Sequence, residues 1–382
     1  MKKKELQVIM SICLILSLRV FGMFMVFPVI SFYSLILSNG NKFLMGCAIG
    51  IYGFTQCLLQ IPFGFFSDKI GRKPVILFGL ILFLLGNIIA GCMNSIWGLI
   101  FGRGLQGLGA ISSSCMACLS DVVKDNKYTQ IMFLVGVIYG ISFSLSIIIA
   151  PIIINIMNFQ GLFLVAACLS IFTILVTYFF IPNTHVISIN FNLDDFKKGM
   201  SLILYDRILL FLYCGVFVLH ALLVLNFIVL PIQLEILKFP ISFHWKIYLL
   251  IITVSFLIVS ILFFYCKKKY MLLITANFLL ILSSILNIFY KNNFYMFLLG
   301  IQIFFIAFNI LESFLPTLVS RRSPIQYKGM TMGIYSTIQF LSSAIGGILG
   351  GWILGMFNIE GVMLIGLLIT MIWFLLFLLV RY

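Results

Sequence analysis

Charge is what this chain has least of. Only 9% of its 382 residues are charged, ten of them acidic, and it has three histidines. Hydrophobic residues make up 63% and the mean hydropathy is +1.22. A soluble globule holds about 45–50% apolar residues, so a soluble fold is excluded. No Gly-x-x-x-x-Gly-Lys-Ser/Thr loop is present, and nothing supports drive by ATP. No nucleophile–base set and no metal-ligand cluster can be read, which argues against an enzyme and against a bound cofactor or metal. The nine cysteines fall almost entirely inside apolar runs. Cys115 and Cys118 form a C-x-x-C without a second pair, and they read as small apolar residues. GRGLQG at 102–107 matches a dinucleotide fingerprint, but no strand precedes it and Arg103 sits inside an apolar run, so that reading fails on context.

What is present is apolar sequence in runs of membrane-crossing length. A span needs roughly 20 apolar residues. Windows of that size fall near 8–33, 43–66, 75–93, 97–118, 130–155, 161–181, 207–234, 246–266, 271–290, 294–318, 329–356 and 360–380. The start, MKKKELQ before a long apolar run without a cleavage site, reads as a retained first span rather than a signal peptide. The expectation is an all-α polytopic membrane protein with twelve helices. Residues 1–181 would form one six-helix half, 182–206 a central connection, and 207–382 the second half, a parallel repeat. The glycines of GGILGGWILG (Gly347, Gly351, Gly355) and the pair Gly136 and Gly140 are expected to serve close helix contact.

The net charge of +14 is not spread evenly. With the N-terminus inside, eighteen Lys and Arg fall in inside loops and termini, against Lys42, Lys238, Lys246 and Lys291 outside. That bias predicts both termini in the cytoplasm. It also accounts for the basic charge without a nucleic-acid partner.

One loop is anomalous. Residues 64–74 read GFFSDKIGRKP, four charges between two apolar runs. The stretch resembles the G-x-x-x-D-R/K-x-G-R/K-R/K signature between spans two and three of the major facilitator superfamily. LIFGRGLQGLGA at 99–110 resembles the R-x-x-Q-G-x-G-A motif of that superfamily's drug:proton antiporter branches. RVFGMFMVFPVI, IGIYGFTQCLLQIPFGFFSDKIGRKP and YKGMTMGIYSTIQFLSSAIGGILGGW are similar to the YajR-type bacterial transporters, over essentially the whole chain. That type carries a soluble domain after its last span, whereas this sequence stops at Tyr382. In span five the antiporter pattern expects Gly-Pro followed by glycines, and here Ala150-Pro151 is followed by IIINI.

The resemblance implies a transporter of the bacterial inner membrane, driven by the proton gradient and needing no cofactor. Its partners would be a small-molecule substrate, the proton and the lipid bilayer, with the protein working as a monomer. For the loop of Gly64, Asp68, Lys69, Gly71, Arg72 and Lys73 it implies a cytoplasmic latch. Asp68 would cap a helix of the opposite half, and Arg72 would pair with an acid at the end of span four, where the chain has Asp121. The span-four motif comprises Arg103, Gln106, Gly107 and Gly109.

Ionisable residues within spans are few, and each is a functional candidate because burial is expensive. Glu312 lies in FFIAFNILESFLP, where Phe305, Asn309, Glu312 and Pro316 share a helical face. Gln302 extends that polar stripe by one heptad. A coupling ion needs a group that is protonated in one state and deprotonated in the other. Glu312 ranks first for that role and His220 second. The competing readings are a structural hydrogen bond for Glu312 and a satisfied packing histidine for His220. Arg19 and Arg103 stay charged and can only act on neighbours. Arg19, Gln56, Gln60, Tyr139, Asn226, Asn309 and Gln339 are candidate cavity residues. The leading expectation is proton-coupled efflux of a small organic molecule. The alternatives are nutrient uptake and, in another class, a non-transporting membrane sensor or scaffold.

Overall fold

A backbone that crosses lipid must pair its own N–H and C=O groups, which an apolar run of this length does as a helix. The computed structural model describes residues 3–123, 125–183, 193–265, 269–289, 293–324 and 327–379, and these are almost wholly helical. Residues 184–192 of the expected central connection, and Tyr382 at the expected cytoplasmic end, lie outside the described residues. The chain divides into two compact units, Met1–Asn190 and Phe191–Tyr382.

The first unit contains α1 (Lys3–Phe24), α2 (Phe27–Ile36), α3 (Lys42–Ile70), α4 (Arg72–Cys92), α5 (Ile96–Leu108), α6 (Ser112–Val122) and α7 (Asp125–Phe180). The first crossing bends between α1 and α2, where Pro28 sits in the first turn of α2 and cannot donate to the turn before it. Helix α7 covers 56 residues as two helical segments joined at a kink, since one straight helix of that length would far exceed the roughly 30 Å of a hydrocarbon core. Its one non-helical residue is Asn158, at φ 62° and ψ −175°; positive φ is a region Asn enters more readily than most residues.

The expected fourth span is not one helix. Helix α5 stops at Leu108 and α6 starts at Ser112. Between them the backbone closes tight turns, from Ala110 N–H to the Leu108 carbonyl and from Ile111 N–H to the Gly109 carbonyl, both 2.8 Å. Glycines let the neighbours close on this break. A Cβ on Gly107 would collide with the Tyr52 carbonyl and Thr55 Oγ1 of α3, and one on Gly109 with the Gly79 carbonyl of α4. Gly86 of α4 and Gly102 of α5 meet in the same way, each Cβ falling within 2.8 Å of the other's carbonyl oxygen.

The second unit contains α8 (Leu193–Tyr205), α9 (Arg207–Ile236), a 3-10 turn (Ile241–Phe243), α10 (His244–Tyr265), α11 (Lys269–Phe289), α12 (Phe294–Arg322) and α13 (Lys328–Leu379). Helix α9 is the central element, packed against α12 and α13. Asp206 caps it, accepting from the N–H groups of Ile208 at 2.9 Å and Leu209 at 3.2 Å, an arrangement worth about 1 kcal/mol. The same carboxylate accepts from Arg322 Nε at 2.8 Å and so ties the start of α9 to the end of α12. Helix α13 repeats the feature of α7, running 52 residues through a non-helical Asn358 at φ 55°.

Among the described residues, nine helical stretches are long and apolar enough to cross a membrane. The expectation of twelve counts differently because α7 and α13 are each two helical segments joined at a kinked asparagine, and α5 and α6 are each too short to qualify alone. In the second unit Gly346 and Gly350 press on α9 at Ala221, Leu225 and Ile228, Gly347 and Gly351 are also buried, and Gly355 is exposed. A Cβ on Gly136 would meet open space, so that glycine makes no close contact.

Candidate functional site

The charged loop folds as a break of one residue between α3 and α4. Gly71 ends one helix and begins the next at φ 104° and ψ 156°, a conformation open to glycine and strained for any other residue. That accounts for the second glycine of the motif. Gly64 is different, because a Cβ there would only touch Ser113 at 3.7 Å, an ordinary contact. Arg72, at the start of α4, gathers the loop. Its Nε donates to Asp121 Oδ2 of α6 at 2.9 Å, and its Nη1 donates to Ser67 Oγ at 2.8 Å and to Asp68. Asp68 and Asp121 are thus brought together by one guanidinium, through its Nη1 and its Nε. Lys69 lies over the Phe65 ring at 4.5 Å. Lys73 donates to the Tyr178 carbonyl at 2.7 Å, in the last turn of α7, where unpaired carbonyls favour a cation.

Both intramembrane arginines of the first unit are sealed, without a carboxylate among their described partners. Arg19 of α1 is 5% exposed. It donates to Ser112 Oγ at 2.9 Å, Gln56 Oε1 at 2.7 Å and the Gly109 carbonyl at 2.6 Å, with Tyr52 Oη at 3.5 Å. The Gly109 carbonyl belongs to the break in span four, so Arg19 supplies a donor where the helix ladder is interrupted. Its charge also sits at the negative end of the α5 dipole. Arg103 of α5 is wholly buried, donates to Gln106 Oε1 at 2.9 Å, and faces the Tyr52 ring at 4.7 Å. Gln106 in turn donates to Asn87 Oδ1 at 3.0 Å, and Asn87 to the Phe83 carbonyl at 2.8 Å. Gln56 and Gln60, expected to line a cavity, are 0% and 4% exposed. The hydrogen bond from Gln56 Nε2 to Gln60 Oε1, at 3.3 Å, extends the Arg19 cluster inward. Tyr139 of α7 is half-buried and within electrostatic reach of Arg19 and Tyr52.

The second unit assembles a different group. His220 of α9 is 6% exposed, and its Nδ1 lies 2.9 Å from the Val216 carbonyl one turn earlier. Its Nε2 lies 3.4 Å from Glu312 Oε2 of α12 and 2.6 Å from Gln339 Nε2 of α13. Gln339 Nε2 also lies 3.4 Å from Glu312 Oε1. Three helices therefore bring together two residues that the sequence had ranked as alternatives, joined by a third known only as a cavity candidate. Glu312 Oε2 is buried and accepts no hydrogen bond among the described residues. Asn226 donates to the Leu222 carbonyl of its own helix at 2.9 Å, and Asn309 is half-buried one turn before Glu312. Gln302, expected to extend the Glu312 stripe, turns instead to α10, donating to Ser255 Oγ at 2.9 Å.

Asn87, Tyr52, Ser112 and Tyr335 were missed as site residues. Asn87 carried a signal, being the one strongly polar residue in VILFGLILFLLGNIIAG. Tyr52, Ser112 and Tyr335 gave none, because hydroxyls are common in spans and their partners come from other helices.

Comparison with known proteins agrees with this architecture. Residues 12–270 match the family model of the Major Facilitator Superfamily. The inner membrane transport protein YajR of Escherichia coli (strain K12) is 41% identical over 94% of this chain and 80% of its own length. An uncharacterized transporter of Buchnera aphidicola subsp. Baizongia pistaciae is 44% identical over 98% of this chain and 96% of its own. Among solved structures, a mutant of the nucleoside transporter NupG superposes with a TM-score of 0.77 over 98% of this chain and 99% of its own, at 14% identity, a likeness of fold alone. Sequence, helical architecture and these relatives agree: the chain belongs to the Major Facilitator Superfamily.

Proposed function

We propose that the protein moves a small organic molecule across the bacterial inner membrane by alternating access, coupled to protons and in the direction of efflux. The chain is a multi-pass protein of that membrane and belongs to a family of transporters rather than enzymes. The observation that carries proton coupling is the His220–Gln339–Glu312 cluster, two titratable side chains in contact on membrane helices. A charge on a membrane helix is costly to hold, so the Glu312 carboxyl, with one oxygen that accepts no hydrogen bond among the described residues, can exchange its proton as its surroundings change. The efflux direction rests on the R-x-x-Q-G-x-G-A motif from Arg103 to Ala110. The protein would act as a monomer with the proton gradient as its energy source.

In this reading the bends at Asn158 and Asn358 are loops, and α5 with α6 is one interrupted crossing, which makes twelve spans with both ends in the cytoplasm. Asp68 serves as the latch that steadies the inward-closed state, and Arg72 with Asp121 holds its loop in place. Addition of candidate compounds to proteoliposomes with an internal pH dye tests the function. Compound-dependent proton movement is expected. Compound movement without proton movement would remove the coupling, and neither across a broad panel would remove transport. Cysteine labelling tests the topology, with position 240 reactive from outside and position 195 only from inside; reversed labelling would overturn the orientation and the latch with it.

A further inference from the structure

We propose that Gln339 is the positioning residue of the Glu312–His220 pair: its amide holds His220 in one tautomer and must turn before a proton can pass between them. The inference rests on the proton-coupling reading above and names the residue that controls the step. The Val216 carbonyl can only accept, so the His220 Nδ1 that lies 2.9 Å from it carries a hydrogen. In the neutral ring Nε2 is then a bare acceptor. Gln339 Nε2 stands 2.6 Å from His220 Nε2 and 3.4 Å from Glu312 Oε1. An amide nitrogen has two hydrogens, and this geometry directs one to each neighbour.

The consequence is a short path that is closed. Glu312 Oε2 and His220 Nε2 are only 3.4 Å apart, yet the lone pair that would receive the proton is already occupied by the amide. Rotation of the Gln339 amide by about half a turn exchanges its NH2 for its carbonyl oxygen. The Glu312 Oε2–H bond can then break as a His220 Nε2–H bond forms, leaving a carboxylate and an imidazolium. Nδ1–H stays on the Val216 carbonyl, and the new Nε2–H donates to Gln339 Oε1. Charge is conserved, and no other reactant is needed. Because Gln339 belongs to α13 while Glu312 and His220 belong to α12 and α9, the position of the proton becomes a hydrogen-bonding preference of a third helix. The titratable groups that face the pair are each other and Tyr335 of α13, one turn before Gln339, whose buried hydroxyl has no hydrogen-bond partner among the described residues.

Nitrogen-15 NMR of histidine-labelled protein in lipid nanodiscs at pH 7 tests this without a substrate. The chain has three histidines, at 185, 220 and 244, so His185→Gln and His244→Gln assign the spectrum. In the wild type, His220 should show a protonated Nδ1 and a bare, hydrogen-bonded Nε2. In Gln339→Met, which keeps the length of the side chain but cannot donate, His220 should become doubly protonated. A wild-type His220 protonated at Nε2 alone would overturn the proposal without any substitution. So would an unchanged His220 spectrum in a folded Gln339→Met variant. Proton-coupled transport that is lost in Glu312→Gln while Gln339→Met leaves His220 unchanged would remove this inference and spare the functional reading; the reverse pattern would do the opposite.

Discussion

The interiors of the two units handle charge in opposite ways. The first encloses two arginines, and every described partner of those guanidiniums is a hydroxyl, an amide, a backbone carbonyl or an aromatic ring. The second sets a buried imidazole in contact with a carboxylate whose side chain is 37% exposed. An arginine does not release its proton in a protein, so the first unit's charge is permanent and can only hold structure or bias a neighbour. A carboxylic acid and an imidazole can both change charge within the range of pH a cell uses. The comparison teaches that one unit supplies a fixed frame around an interrupted helix, and the other holds the chemistry that can respond to a proton.

The sharpest way to break that contrast is Glu312→Gln, which mimics the protonated acid and cannot release it. Uphill, proton-driven transport should fall at least tenfold in proteoliposomes, with substrate exchange largely intact. Wild-type accumulation in that variant would make Glu312 structural and leave His220 as the candidate. The corresponding test of the frame is Arg19→Met, which leaves Gln56 Oε1 and the Gly109 carbonyl without their charged donor. Hydrogen bonds to a charged group are worth about 1.5–3 kcal/mol each, so the apparent Tm of the purified protein should drop by several degrees. Gly109→Ala should act in the same direction by forcing α4 away from the break, at about 1–3 kcal/mol. An unchanged Tm in both would show that the break needs no clamp.

A smaller effect is expected at the loop. Arg72→Ala and Asp121→Ala should each destabilise, and the double variant should be no worse than either alone, with a coupling energy of about 1 kcal/mol because Asp121 is 29% exposed. Additive losses would mean that the two act independently. Asp68→Asn should lower transport with little change in Tm. The smallest effect belongs to Lys73→Met, which removes an exposed hydrogen bond to the Tyr178 carbonyl and should cost about 0.5 kcal/mol or less.

Much of this protein could be read from its residues because lipid imposes simple rules. Apolar length decides which segments can cross, and the inside bias of lysine and arginine predicts their direction. A charged side chain is costly enough in a span that Arg19, Arg103, His220 and Glu312 stood out without a structure. Gly71 was also legible, as part of a motif whose reason is a backbone angle. Other features were settled by tertiary structure alone. Hydropathy averages over a whole span, so it could not register the break at 109–111, where three residues leave the helix and the side chain of a distant one satisfies the freed carbonyl. Helical periodicity could not say which small residues would meet α9, and the packing set Gly346 and Gly350 against Ala221, Leu225 and Ile228. Polarity made Gln56 and Gln339 look alike, as two cavity amides. Packing buried the first behind an arginine and set the second between a carboxylate and an imidazole, because the environment of a side chain is made by helices far away in sequence.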